Sequence, residues 1–286
     1  MTGALASTVR GARRARREDF EGKTHTMVIT DAAPLLELRG INKSFGPVHV
    51  LHDVDFAVYP GQVTALVGDN GAGKSTLVKS IVGVYGMDSG EVLFEGEPVT
   101  IHTPKDAAAL GIEVVYQDLA LCDNLDIVQN LFLGRERTNG GLLDESTMEA
   151  KARETLATLN VRTVKSVRQV VSSLSGGQRQ TVAIAKAVLW NSRVVMLDEP
   201  TAALGVAQTK QVLELVRRLA DQGIGVVIIS HNMNDVLAVA DRVCALYLGR
   251  VAAEVPAATS SREQLVELIT SGASGSLGLS SAEVES

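Results

Sequence analysis

Short apolar runs recur along the chain, separated by stretches in which apolar positions follow a helical period. Val63–Val67 is one such run; it enters a glycine-rich loop and then the helical stretch Ser75–Val84. Ile112–Tyr116, Val194–Leu197 and Val226–Ile229 are further strand candidates. The last two are fully apolar and rich in β-branched residues, as strands covered on both faces require. Glu91–Phe94 and Pro98–Ile101 flank Glu95-Gly96-Glu97, a hairpin pattern. In Lys210–Asp221, the residues Val212, Leu215, Val216, Leu219 and Ala220 form a stripe at helical spacing, and Gly223 follows as a stop. This alternation predicts an α/β core with a largely parallel sheet. Residues 119–173 break the rhythm. They are helical in composition, above all in Glu145–Leu159, contain Gly140-Gly141 and carry few strand signals. They predict a helical subdomain inserted into the core, extending to about residue 185 with the helix that follows.

The two ends read differently. Residues 1–26 hold Arg10, Arg13, Arg14, Arg16, Arg17 and Lys23 against three acidic residues, with almost no large apolar side chains. A disordered basic extension over 1–33 is expected. It could bind anionic lipid or RNA, act as a transit segment, or lie upstream of a start at Met27. Gly272–Ser286 is rich in Ser, Gly and Ala, and a flexible tail over 272–286 is expected. Between them, residues 34–271 form the expected folded domain.

Composition narrows the class. With 45% hydrophobic and 21% charged residues the chain is of ordinary globular type, not collagenous or wholly disordered. The net charge is −6, which counts against nucleic acid as the main partner. Cys122 and Cys244 lie far apart, without metal-ligand spacing, and read as reduced thiols. The apolar runs are far shorter than the ~20 residues needed to span a bilayer, so work at a membrane requires a partner.

The candidate chemistry starts at Gly68-Asp69-Asn70-Gly71-Ala72-Gly73-Lys74-Ser75, a G-x-x-x-x-G-K-[ST] motif between a strand and a helix, followed by Thr76. Its glycines let backbone N–H groups wrap around phosphates, and the helix start adds its positive end. Lys74 would reach the outer phosphates, and Ser75 would hold Mg²⁺. A second motif follows Val194–Leu197, where the buried run ends in Asp198 and Glu199. These side chains point to opposite faces if the strand stays extended. Asp198 would bind Mg²⁺ through water, and Glu199 would polarise the attacking water. Leu174-Ser175-Gly176-Gly177-Gln178 precedes the helical run Arg179–Trp190, so Ser175 and Gly177 would form a second helix-tip anion site.

With this pentapeptide the chain resembles the ATP-binding subunits of ABC transporters over about residues 35–271. The resemblance implies a P-loop NTPase (RecA-like) α/β core, an N-terminal antiparallel β-subdomain and an inserted helical signature subdomain. It also implies roles for Phe45 in stacking on adenine, for Gln117 in sensing Mg²⁺ and the attacking water, and for His231 in contacting the γ-phosphate. One position departs from the family: Thr201-Ala202-Ala203-Leu204 is followed by Gly205, where many members have Asp. That Asp helps connect the two nucleotide sites.

The resemblance further implies a homodimer in which ATP is clasped between the P-loop of one copy and Ser175/Gly177 of the other. Its expected partners are two membrane-spanning permease subunits and, indirectly, an extracytoplasmic sugar-binding protein, at the cytoplasmic face of the membrane. Val115–Leu125, Ile229–Met233, Leu246–Arg250 and Ser261–Thr270 resemble the bacterial monosaccharide importers of fructose and ribose type, here in single-domain form. The competing expectation is a non-transport ABC ATPase, for example in iron–sulfur assembly.

Overall fold

The computed structural model describes residues 13–18, 24–29, 33–159 and 164–275. In chain order, strands β1 (Arg13–Glu18) and β2 (Thr24–Ile29) pair as an antiparallel hairpin. This hairpin falls inside the span expected to be unstructured and corrects it there, its strands pairing over six residues each; the remainder of 1–32 lies outside the described residues. Then come β3 (Leu36–Phe45), β4 (Val48–Val58), β5 (Val63–Gly68), α1 (Lys74–Ile81), β6 (Ser89–Phe94) and β7 (Glu97–Pro98). α2 (Pro104–Ala109), β8 (Ile112–Val115), α3 (Ile127–Phe132), the short strands β9 (Thr138–Asn139) and β10 (Leu142–Leu143), α4 (Glu145–Thr158) and α5 (Gly176–Val188) follow. The chain then alternates through β11 (Val194–Asp198), α6 (Val206–Asp221), β12 (Gly225–Ile229), α7 (Met233–Val239), β13 (Arg242–Tyr247), β14 (Arg250–Pro256) and α8 (Arg262–Ser271).

Two sheets carry this order. The six-stranded sheet runs β14-β13-β5-β12-β11-β8 and is parallel except for β14. The four-stranded sheet runs β4-β3-β6-β7 and is antiparallel. The β6–β7 hairpin closes on Glu95 and Gly96, both with positive φ, so its turn is tighter than expected and its return strand shorter.

Strand alternation divides the core in two. Val63, Ala65, Val67, Val195, Leu197, Val226, Ile228, Val243 and Ala245 pack with α3, α5, α6 and α8 on one face. Leu66, Val194, Met196, Val227, Ile229, Cys244 and Leu246 pack with α1 and the antiparallel sheet on the other. Neither face of the central strands meets water, which explains their unbroken apolar runs.

The inserted region is helical as expected, with α3 and α4, but Gly140-Gly141 turns a small hairpin, β9–β10. Arg168 ties the region together through Glu149 (2.8 Å), Glu145 (3.0 Å) and Asp126 (3.4 Å). At the C-terminal end, Gly272 takes a left-handed conformation (φ 71°) that caps α8, and buried Ser274 donates to Glu267 at 2.7 Å. Packing therefore continues past 271, and residues 276–286 of the expected tail lie outside the described residues. No helix among the described residues is long and apolar enough to cross a membrane.

Candidate active site

Parallel pairing aligns the strand ends that carry the sequence motifs. Ile229 of β12 sits beside Leu66 of β5 and Asp198 of β11, and Leu197 sits beside Val115 of β8. The P-loop, His231, Asp198/Glu199 and Gln117 therefore leave one edge of the sheet, the carboxyl-end crevice where α/β folds bind ligands.

In the P-loop, glycine is required at two positions, at Gly68 by a clash with backbone and at Gly73 chiefly by its positive φ. A Cβ on Gly68 would lie 2.4 Å from the Leu246 carbonyl oxygen, and one on Gly73 (φ 104°) would lie 2.9 Å from Leu51. A Cβ on Gly71 would meet open space, but its φ of 84° still favours glycine. Asp69, Asn70 and Gly71 are exposed, whereas Ala72 is buried and its carbonyl accepts from Gly249 N–H at 3.0 Å. No side chain caps the start of α1, so its first N–H groups face the loop without a side-chain acceptor. Lys74 Nζ donates to the carbonyls of Gly68 (2.8 Å) and Asp69 (2.9 Å). Burial lowers the Lys74 pKa, against the pull of Glu199, Asp69 and Asp198. Ser75 is exposed and Thr76 half-buried in the first turn of α1.

Asp198 ends β11. Burial, and secondarily the charge of Glu199, raise its pKa, while Lys74 and Lys79 oppose the rise. A cation is favoured beside a carboxylate in that state. Glu199 corrects one expectation: the strand does not stay extended. Its φ is 48°, and its N–H donates to Ile229 O at 2.9 Å, so its side chain turns toward the β12 end. There Oε1 accepts from His231 N–H at 3.1 Å and lies 2.8 Å from His231 Nδ1. Glu199 is mostly enclosed (16% exposed) and His231 mostly open (76%). The pair thus has a sheltered carboxylate and an accessible imidazole.

Ser175 caps α5: its hydroxyl accepts from Gln178 N–H (3.4 Å), and Gln178 Oε1 accepts from Ser175 N–H (2.8 Å). Gly176 and Gly177 face the start of α6, where added Cβ atoms would meet Leu204 at 3.3 Å and Gln208 at 3.1 Å. A side chain there would force Leu204 and Gln208 to give way by a few tenths of an ångström. Gly205 proves to be the N-cap of α6, with ordinary φ of −73° and open space around its missing side chain. Gln208 Oε1 accepts from its N–H at 3.3 Å.

Gln117 is exposed just beyond β8. Phe45 ends β3, 42% exposed, with its ring edge-on to Tyr85 at 5.0 Å. Lys43 Nζ stands 5.3 Å from the Phe45 ring and pairs with Asp88 at 2.9 Å. Tyr85, Lys43 and Asp88 escaped sequence reasoning because no motif marks them; only the fold brings them to Phe45.

Residues 51–202 match the ABC transporter family. The chain is 44% identical over 245 residues to the xylose/arabinose import ATP-binding protein XylG of Sulfolobus acidocaldarius, covering 86% of this chain and 97% of that one. It is 46% identical over 224 residues to the fructose import ATP-binding protein FrcA of Rhizobium meliloti, covering 76% and 86%. Among solved structures it resembles the ADP conformation of MJ1267, an ATP-binding cassette of an ABC transporter. The TM-score is 0.72 at 27% identity, over 84% of this chain and 96% of that one. The fold, the strand-edge motifs and these relatives agree: the chain belongs to the ABC transporter family, as one of its ATP-binding cassettes.

Proposed function

We propose that the chain is the ATP-hydrolysing subunit that energises an ABC importer for a monosaccharide. The observation that carries this reading is the alignment of four motif-bearing strand ends on one sheet edge, with Lys74, Asp198 and the Glu199–His231 pair among them. The P-loop N–H groups and Lys74 bind the triphosphate, Lys74 exchanging two carbonyl contacts for phosphate oxygens. Phe45 stacks on the adenine. Glu199, held by His231, orients and polarises the attacking water, and His231 contacts the γ-phosphate.

Mg²⁺ fits the residues present. Ser75, Gln117 and Asp198 offer hydroxyl, amide and carboxylate oxygens, the hard donors that this ion prefers, and burial of Asp198 favours a neighbouring cation. The ion would neutralise charge on the phosphates during transfer.

ATP is clasped between two copies, the second presenting the α5 tip at Ser175, Gly176, Gly177 and Gln178. Binding orders this homodimer and hydrolysis releases it, a cycle that drives two membrane permease subunits at the cytoplasmic face. An extracytoplasmic protein delivers the sugar, and this chain does not touch it. The import proteins among its relatives favour this reading over a non-transport ATPase of the iron–sulfur assembly kind. The test is co-purification in detergent with a hydrophobic permease, followed by ATP-dependent uptake of labelled pentoses and hexoses into proteoliposomes. Uptake that stops with Glu199→Gln supports the reading. ATPase activity with no membrane partner and no uptake refutes it.

A further inference from the structure

The segment after β11 contains two non-glycine residues in left-handed conformation, Glu199 (φ 48°) and Ala203 (φ 60°). Such backbone persists only where its surroundings over-determine it. Main-chain bonds supply part of the restraint: Glu199 N–H donates to Ile229 O, Ala202 N–H to Glu199 O (3.1 Å) and Leu204 N–H to Thr201 O (3.2 Å). A side-chain bond supplies another part. Thr201 Oγ1 donates to Asp235 Oδ2 at 2.7 Å, and both residues are buried.

Asp235 lies in the first turn of α7, the helix that begins just after His231. Two cross-links therefore join the same pair of segments: Glu199 to His231, and Thr201 to Asp235. Pro200 stands between the two on one side and fixes its own φ, so a displacement of Thr201 is transmitted to Glu199 with little slack. A buried hydrogen bond to a carboxylate is among the stronger polar contacts, and its geometry is directional.

We propose that Thr201 and Asp235 are positioning residues for hydrolysis, their buried bond holding the turn after Glu199 so that its carboxylate stays against His231. This rests on the reading of Glu199 as the water-polarising group. Nucleotide binding, which depends on the P-loop, is left largely untouched by the bond.

The experiment measures kcat and KM for ATP, with circular dichroism to confirm folding. Thr201→Val lowers kcat by about 10- to 100-fold, the scale of a small misplacement of a reacting group, while KM stays within about 3-fold. Thr201→Ser, which keeps the hydroxyl, restores kcat. Thr201→Val/Asp235→Ala removes both partners without stranding a buried carboxylate, and shows the same loss of kcat; it decides the matter if Thr201→Val alone does not fold. In a Glu199→Gln background, Thr201→Val reduces the residual single-turnover rate no further, because its effect passes through Glu199. Wild-type kcat in the folded Thr201 variants, or an equal additional loss in the Glu199→Gln background, overturns the proposal. Wild-type turnover in Glu199→Gln alone overturns the catalytic reading beneath it.

Discussion

Gly205 offers a quantitative test of how α6 is built. It is the N-cap of a 16-residue helix, has no side chain to satisfy the first N–H groups, and has φ −73°, which any residue can adopt. An added Cβ meets nothing nearer than Gln208 Oε1 at 4.0 Å. Gly205→Asp therefore adds a capping oxygen worth a few tenths of a kcal/mol over glycine. It also adds a charge at the positive helix end, about 0.3–1 kcal/mol, and cuts unfolded-chain entropy by about 0.4–1 kcal/mol. Neighbouring Val206 is 91% exposed, so solvent screens the charge and the lower half of that total applies. The net gain is about 1 kcal/mol, or roughly 2–4 °C in melting temperature for a chain of this size. Differential scanning calorimetry of the nucleotide-free protein measures it. Gly205→Asn separates capping from charge and retains most of the gain; adding salt erodes part of the difference between Asp and Asn. A melting temperature that falls, or does not move at low salt, would refute the assignment of Gly205 as a cap.

Other outcomes follow from the same geometry. Gly68→Ala drives a Cβ into the Leu246 carbonyl and costs about 1–3 kcal/mol in urea unfolding, since backbone cannot yield as a side chain does. Asp198 has a raised pKa in the folded state, so folding binds protons there and stability falls as pH rises from the ordinary carboxylate range through that raised value. Asp198→Asn removes this penalty: the nucleotide-free variant melts above the wild type at pH 7, the gap closes below about pH 4, and hydrolysis is lost. Arg168→Met removes three ion pairs, while Glu149 keeps Arg153 and Asp126 keeps the Gln129 N–H, and lowers stability by only about 1 kcal/mol, because the guanidinium is one-third exposed; equilibrium unfolding checks it. Lys74→Ala abolishes ATP binding in a calorimetric titration while the fold persists, because the bonds its ammonium makes, to Gly68 O and Asp69 O, stay within the P-loop.

The sequence made some features plain and hid others for physical reasons. Val194–Leu197 and Val226–Ile229 read as central strands because both of their faces are buried, and the structure places them side by side. The P-loop and the α5 start were legible because each is a local motif whose glycines and capping serine act within a few residues. Glu199 was found as a residue but not as a conformation. Its left-handed turn toward His231 is imposed across 32 positions of sequence, and local propensity carries no trace of it. The same holds for Thr201 and Asp235, 34 positions apart, and for Tyr85 against Phe45. The β9–β10 hairpin was hidden because its strands are two residues long, too short for any alternation to register. The packing of Ser274 was masked by a composition that resembles a free tail.

Whether ATP joins two copies is read most directly from the mass of the Glu199→Gln protein by light scattering, with and without ATP. The expected masses are those of a single copy without nucleotide and of a stable pair with ATP, the pair being lost again in Ser175→Arg. A mass that stays that of one copy at saturating ATP, with nucleotide bound and turnover undiminished, would contradict the clasping of ATP between two copies.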